Sequence, residues 1–460
     1  MYKDNNTITA IATSPGIGAL AIVRLSGSVA FNVAEKIFKS KTPGKKLKEL
    51  NSHTMHYGEI IDGEESVDEV ILSIMKAPNS YTGEDMIEIT CHGGRIIVDK
   101  ILKLCIKNGA RIADPGEFTK RAFLNGKMDL TQAEAVQSLI YAKSENSIKE
   151  ALRILKGSLK DKINEIRNNI IEVKSNLDAD IEWSETEDIS TIGKKEIKIL
   201  LKNTEKEINN ILENSNYERN AMEGVRVVIC GKTNAGKSSL FNCLLNSSRS
   251  IINKMPGTTR DVIDCEIVID GYLTTIVDTA GLDLEDKTEI DVMASEKSRE
   301  EIQKADTIIF VIDGAAGLED KDYVIKDHIT ENTDWIPVVN KCDIDIKISD
   351  TECQKFCGSN EYIKISCLEK QGIEKLKEKI KQTVKSFETD RIMISQRQID
   401  SLNKVMEHVI ASGNLLDESS YTEIMSYELQ RGLEYLGQID GAEIEKGILD
   451  KIFSDFCIGK

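Results

Sequence analysis

The 460-residue sequence predicts a multidomain chain: an α+β N-terminal domain, an all-α helical domain, and an α/β phosphate-loop domain inserted into the helical one. Three observations predict it. Short β-like runs separated by glycine turns fill residues 1 to about 118. A charged, helix-periodic texture begins near Thr131 and returns after residue 387. Between the two helical stretches lies Gly231-Lys232-Thr233-Asn234-Ala235-Gly236-Lys237-Ser238, with a β-branched run before it and a helix-like run after it. The expected domains are 1–118, 119–221, 222–386 and 387–460, the second and fourth being two parts of one helical domain. Domain termini often lie close together, which makes such an insertion physically easy.

Strands are expected in the first domain at 7–12, 20–25, 67–72 and 86–90, with one or two helices, notably 96–108. Thr131 and Glu134 read as a capping box opening the helical part. That pattern runs to about residue 180, pauses at the acidic stretch 182–188, and resumes to about 214; its charges read as solvated faces. The inserted domain should place strands at 225–230, 263–269, 272–277, 307–312, 335–339 and 361–365. Helices follow at 390–412, 420–438 and 442–456.

An apolar content of 40% is enough for real cores, and 30% charge describes a soluble globular protein. No apolar run approaches a membrane span. The start, Met1-Tyr2-Lys3-Asp4-Asn5-Asn6, has neither a basic n-region nor an apolar h-region, so a cytoplasmic location is expected. Ten cysteines without a Cys-x-x-Cys pair give little support for a zinc site or a disulfide framework. A formal charge of −17 argues against tight, non-specific nucleic-acid binding by the chain alone, and leaves room for a local basic patch or a basic partner.

The octet reads Gly-x-x-x-x-Gly-Lys-Ser in a strand–turn–helix context, the phosphate-loop signature. Its glycines let backbone N–H groups turn onto phosphate oxygens at a helix N-terminus. Lys237 is expected on the β- and γ-phosphates and the Ser238 hydroxyl on Mg²⁺. Asp278-Thr279-Ala280-Gly281 follows a strand: the aspartate suits Mg²⁺ through water, and the Gly281 N–H suits a γ-phosphate sensor. Pro256-Gly257-Thr258-Thr259 between them reads as a switch, one threonine closing the Mg²⁺ shell only when the γ-phosphate is present. Asn340-Lys341-Cys342-Asp343 offers a carboxylate to the guanine ring N–H and exocyclic amine, a donor pair that adenine lacks. Ser366-Cys367-Leu368 would meet the guanine oxygen. Five such elements in this order point to GTP.

Leu282 stands where Ras-like enzymes carry the water-orienting glutamine, so hydrolysis is either slow or uses another device. Asn234 has two readings: a side-chain carbonyl that holds a monovalent cation beside the phosphates, or a loop-stabilising asparagine. Glu289 and Asp291 are the acids just beyond the switch.

With Asn234, these motifs and the closing Phe456-Cys457-Ile458-Gly459-Lys460 resemble the MnmE (TrmE) family of tRNA-modification GTPases over essentially the whole chain. The resemblance extends to Ser14-Pro15-Gly16, Ile22-Val23-Arg24-Leu25-Ser26-Gly27, Tyr81-Thr82-Gly83-Glu84-Asp85, His92-Gly93-Gly94 and the run from Pro115-Gly116-Glu117-Phe118 to Asn125-Gly126-Lys127. It implies a folate-binding, dimerising N-terminal domain and potassium-stimulated GTP hydrolysis as G domains pair across a homodimer. It further implies an FAD-dependent MnmG-type partner in a heterotetramer. Together they would add an aminomethyl-type (carboxymethylaminomethyl) group at carbon 5 of the tRNA wobble uridine, using a formyl-tetrahydrofolate-type one-carbon unit.

Carried over by position, the GTP site comprises Asn234, Ala235, Gly236, Lys237, Ser238, Ser239, Asn253, Lys254, Met255, Pro256, Gly257, Thr258, Thr259 and the three motifs above. Potassium would meet Asn234, Asn253, Met255 and Thr258; magnesium would meet Ser238 and Thr259; folate would meet Arg24, Glu88, Lys127 and Lys460. The family's water-positioning glutamate falls on Asp291, or on Glu289 if the register shifts. Lys254 departs from the acidic or small residue more usual there. Cys457 is either a participant in the modification chemistry or a small buried hydrophobe. The competing reading of the chain is a regulatory GTPase, for example in ribosome assembly, without modification chemistry.

Overall fold

The computed structural model describes residues 6–41, 44, 46–182, 193–213, 225–247, 263–269, 272–278, 299–329, 333–358, 361–386, 394–416 and 422–460. The N-terminal part runs β1 (Ile8–Ile11), β2 (Leu20–Ser26), α1 (Ala30–Ile37), β3 (Phe38–Ser40), β4 (Thr54–Asp62), β5 (Glu65–Met75), β6 (Met86–His92), α2 (Arg95–Lys107), β7 (Arg111–Ile112) and α3 (Glu117–Leu124). The helical part adds α4 (Leu130–Tyr141), α5 (Glu145–Leu155), α6 (Ser158–Glu182) and α7 (Lys194–Glu213). Next come β8 (Val225–Cys230), α8 (Lys237–Ser247), β9 (Ile263–Ile269), β10 (Tyr272–Asp278), β11 (Thr307–Asp313), α9 (Asp320–Lys326), β12 (Asp334–Asn340), α10 (Asp350–Cys357), β13 (Ile363–Lys364) and α11 (Ile373–Ser386). Helices α12 (Gln396–Asn414), α13 (Thr422–Asp440) and α14 (Lys446–Ser454) follow. The chain folds as two compact units, Met1–Gln137 with Leu159–Lys198 and Lys404–Lys460, and Ser138–Ser158 with Ile199–Asn403.

In the first unit a seven-stranded sheet has the order β3-β4-β5-β6-β2-β1-β7, antiparallel except for the β1–β7 pair. Strand side chains alternate between faces. In β2 the odd positions Ala21, Val23 and Leu25 are buried with Phe31, Val33 and Ile37 of α1 and Ile101 and Cys105 of α2. The even positions Ile22 and Arg24 are only half-buried, and that face carries the polar residues taken up below.

The same unit holds α6, whose buried residues are Leu159, Ile163, Ile166, Ile170, Val173 and Leu177. Steps of four and three make this a heptad seam, the narrow apolar stripe of a helix packed along its length. Arg167 pairs with Asp440 at 2.6 Å, and the Ser426 hydroxyl bonds Asp178, so α6 is joined to α13.

The capping box proposed at Thr131 and Glu134 is two residues out of place. Asp129 is the cap: its Oδ1 accepts the Gln132 N–H at 2.9 Å, and Gln132 Oε1 accepts the Asp129 N–H at 3.1 Å. Thr131 donates its hydroxyl to the same Asp129 oxygen at 2.6 Å. The aspartate lies one residue before the first helical residue, the position from which a side chain reaches the free N–H groups. The continuous helix expected from there is three helices, with α5 capped afresh by Ser144, whose Oγ accepts the Ser147 N–H at 3.1 Å.

In the second unit a six-stranded sheet has the order β13-β12-β11-β8-β10-β9, parallel except for the β9–β10 pair. Its central strands are continuous apolar runs, as expected of a parallel sheet covered on both faces. One face packs Val227, Ile229, Val311 and Val338 with Leu240 and Leu244 of α8 and Leu376 and Ile380 of α11. The other packs Val228, Phe310 and Ile312 with Cys353 and Phe356 of α10.

Candidate functional site

The phosphate loop runs from the end of β8 to the start of α8, at the carboxyl ends of the parallel strands, where open α/β sheets bind ligands. Its residue types follow from its backbone. Gly231 has φ 141°, and a Cβ there would sit 2.3 Å from the Val311 carbonyl. Gly236 has φ 99°, and a Cβ there would sit 2.1 Å from Asn340 Nδ2. Asn234 is left-handed with φ 63° and exposed, a conformation asparagine tolerates better than other non-glycine residues. Lys237 is buried, and its Nζ donates to the carbonyls of Gly231 (2.9 Å) and Lys232 (3.1 Å). Ser238 and Ser239, in the first turn of α8, are both exposed.

The guanine motif closes against this loop. Asn340 is buried at the end of β12, its Nδ2 donates to the Ala235 carbonyl at 2.9 Å, and its Oδ1 accepts the Cys367 N–H at 3.3 Å. One amide side chain thus joins the phosphate loop to the 366–368 turn. Lys341 is left-handed at φ 64° and its Nζ pairs with Asp313 at 2.7 Å. The Ser366 hydroxyl donates to Asp343 Oδ1 at 2.6 Å, fixing one oxygen of an exposed carboxylate. The Cys342 N–H donates to the Ile365 carbonyl, and Leu368 is exposed. Asp278 ends β10 and is buried. Asn253, Lys254, Met255, Pro256, Gly257, Thr258, Thr259, Thr279, Ala280, Gly281, Glu289 and Asp291 lie outside the described residues.

A second polar cluster lies on the sheet of the first unit. Arg24 and Glu88 are cross-strand partners, with Arg24 Nε donating to Glu88 Oε1 at 2.8 Å. Arg24 Nη1 donates to the Gly459 carbonyl at 2.9 Å, and its guanidinium lies 5.8 Å from the Tyr81 ring centre and 5.5 Å from that of Phe118. The 457–460 segment is held by backbone bonds from Gly116 N to Cys457 O and from Phe118 N to Lys460 O. Gly459 has φ 91°, and a Cβ there would lie 2.3 Å from the Ile11 carbonyl. Burial, then the Arg24 charge, lowers the pKa of Lys460, while Glu88 acts in the opposite sense. Lys127 is not part of this cluster; its Nζ donates to the Pro78 carbonyl at 3.0 Å. Cys457 is exposed, so the small buried hydrophobe reading does not describe it.

Residues 7–127 match the family described as the GTP-binding protein TrmE N-terminus, and residues 130–457 match the MnmE helical domain. A tRNA modification GTPase MnmE of Thermotoga petrophila is 41% identical over 459 residues, covering 99% of this chain and 100% of that protein. The protein of that name from Clostridioides difficile is 41% identical over 465 residues and covers all of both chains. The chain belongs to the MnmE family of tRNA modification GTPases. It is a GTPase of tRNA modification, built from an α+β domain, a helical domain and an α/β phosphate-loop domain. Among solved structures, the G domain of the T. maritima FeoB iron transporter aligns with 35% of this chain and 98% of its own at 26% identity, with a TM-score of 0.28.

Within this MnmE-family chain the structure gathers Asn234 to Ser239 with Asn340 to Asp343 and Ser366 to Leu368, and separately gathers Arg24, Glu88 and Lys460. Sequence reasoning missed Asp313 and Lys232, which fasten the first group. An aspartate at the carboxyl end of a parallel strand was the available signal for Asp313. It gave no role to Tyr81 or Phe118, although both stand in the quoted motifs.

Proposed function

We propose that the chain, as a homodimer, couples potassium-activated GTP hydrolysis to one-carbon chemistry on the tRNA wobble uridine. Its partner would be an FAD-dependent MnmG-type protein in a heterotetramer in the cytoplasm. The product would be an aminomethyl-type (carboxymethylaminomethyl) group at uridine carbon 5. The observation that carries this reading is the Arg24–Glu88 pair closed over by the 457–460 segment. A folate has a pterin that wants a carboxylate and a glutamate tail that wants cations, and this cluster offers Glu88 beside Arg24 and Lys460. An anion beside Lys460 would offset the two effects that depress its pKa. Lys127, whose Nζ donates to the Pro78 carbonyl, would be a further cation for the tail.

In the nucleotide site, Mg²⁺ would be held by Ser238 and Thr259, and K⁺ by Asn234, Asn253, Met255 and Thr258. Asp291 or Glu289 would orient the hydrolytic water. The exposed, left-handed Asn234 beside Gly236 and Lys237 supports a cation there. Domain bounds of 1–118, 119–221, 222–386 and 387–460 belong to the same reading, supported by the α6–α13 bonds that join the two helical segments.

The test is nucleoside analysis of tRNA from a strain lacking this protein, alongside titration of a reduced formyl-folate into the purified chain. The reading expects unmodified wobble uridine and saturable folate binding. Full modification without the protein, or no binding at millimolar folate, would sink it. Comparing Asp291→Asn with Glu289→Gln at saturating GTP identifies the acid, which should lose about 10²-fold in rate.

A further inference from the structure

Lys232 follows Gly231 in the phosphate loop, and only 6% of its side chain is exposed. Its Nζ donates to the Gly317 carbonyl at 2.9 Å and pairs with Glu319 at 3.0 Å, with Asp322 3.7 Å away. Asp322 is wholly buried, and among the described residues its Oδ1 has no hydrogen-bond partner. Burying an ammonium group is costly unless it is paired and hydrogen-bonded, so this placement serves something besides solubility.

The backbone of Lys232 has its own part. Its carbonyl accepts the Lys237 Nζ at 3.1 Å and the Ala235 N–H at 3.2 Å. Lys237 is the residue expected on the phosphates, so the Lys232 side chain fixes the peptide that carries its resting acceptor. The segment that grips Lys232 is fastened at its other end to the guanine motif. Asp313 Oδ2 pairs with Lys341 Nζ at 2.7 Å, and the Gly314 N–H donates to the Asn340 carbonyl at 3.0 Å. Asp313 Oδ1 accepts the N–H groups of Ala315 and Ala316 at 3.0 and 3.2 Å, which holds the turn in shape.

We propose that residues 313–322 form a brace between the phosphate-binding and guanine-reading motifs, and that Lys232 is the positioning residue through which the brace sets the phosphate loop. A loop held in its binding shape loses less conformational freedom when nucleotide arrives, and affinity rises accordingly.

The experiment uses the full chain and fluorescent GDP, read as equilibrium affinity and as release rate. Lys232→Met is combined with Asp322→Asn, which leaves no buried carboxylate unpaired and keeps an oxygen to cap the Glu319 N–H. The double variant should bind GDP about tenfold or more weakly through faster release, the scale of one charge-assisted hydrogen bond. Lys232→Arg, which retains a buried donor and its charge, should restore most of that loss. A folded double variant that loses less than about tenfold, or a Lys232→Arg variant that loses as much, overturns the proposal. If the double variant does not fold, Asp313→Asn tests the other anchor. It should also release GDP faster, and an unchanged release rate overturns the brace.

Discussion

Arg24 grips Glu88 across the β2–β6 pair and, with a different nitrogen, grips the carbonyl of Gly459. One guanidinium thereby ties two strands of the N-terminal sheet to a segment 435 residues away in sequence. The fork needs donors in fixed directions, which lysine does not have. Arg24→Lys is therefore expected to weaken formyl-folate binding by about tenfold, while GDP affinity stays within about twofold. Parallel titrations of the two ligands check it; an unchanged folate affinity would contradict the assigned pocket.

In the proposed guanine site, Ser366 orients Asp343. The 2.6 Å bond from the Ser366 hydroxyl holds one oxygen of an otherwise exposed carboxylate. Ser366→Ala should raise KM for GTP roughly fivefold, the equivalent of about 1 kcal/mol for one hydrogen bond, with kcat little changed. Steady-state kinetics at several GTP concentrations separate the two terms.

Asn234 can be divided into backbone and side-chain roles because its φ is 63°. Alanine there would confuse loss of the amide with backbone strain of about 1 kcal/mol or more. Asn234→Gly keeps the left-handed conformation and removes only the amide. The rate difference between potassium and sodium should vanish in this variant while GDP affinity is retained. A persisting potassium response would exclude Asn234 as a ligand.

Glu117 is expected to govern acid stability in the N-terminal part. Burial works to raise its pKa, but bonds from Arg111, the Asp114 N–H and Arg121 prevail and lower it below the ordinary 4.5. A carboxylate with a depressed folded-state pKa stabilises the fold above its unfolded value, and that contribution disappears as pH falls through the folded value. Urea midpoints measured from neutral pH down to the acid side of 4.5 should therefore fall steeply at the low end. Glu117→Gln should cost about 3 kcal/mol at neutral pH, because it leaves two guanidinium groups short of a buried partner, and should flatten the acid limb. Parallel pH profiles for parent and variant would rule this out.

How much of this was legible in the sequence depends on whether residue type or chain register carries the information. Gly231, Gly236, Asn340 and Asp343 were readable because each backbone or pairing requirement admits very few side chains. Strand β4 was not anticipated: Met55 and Tyr57 are exposed along it, and its identity comes from its pairing with β5 along its whole length. The helix opening was misplaced because Asp129 and Thr131 are both competent caps, and only the folded backbone selects between them. Arg24 and Glu88 entered through family resemblance as separate folate contacts; only the β2–β6 register makes them a pair. Lys232 fills an x position of the octet and was given no role, since the Gly317 carbonyl that it meets lies 85 residues on.

The heptad seam of α6 bears on how this family can vary in length. Each added residue turns the rest of a helix by about 100°, so a single insertion between Ile163 and Ile170 would carry Val173 and Leu177 off the seam and into water. About seven added residues, one heptad, would return them to it. Natural length differences in this helix should therefore come in whole heptads, or be confined to its ends.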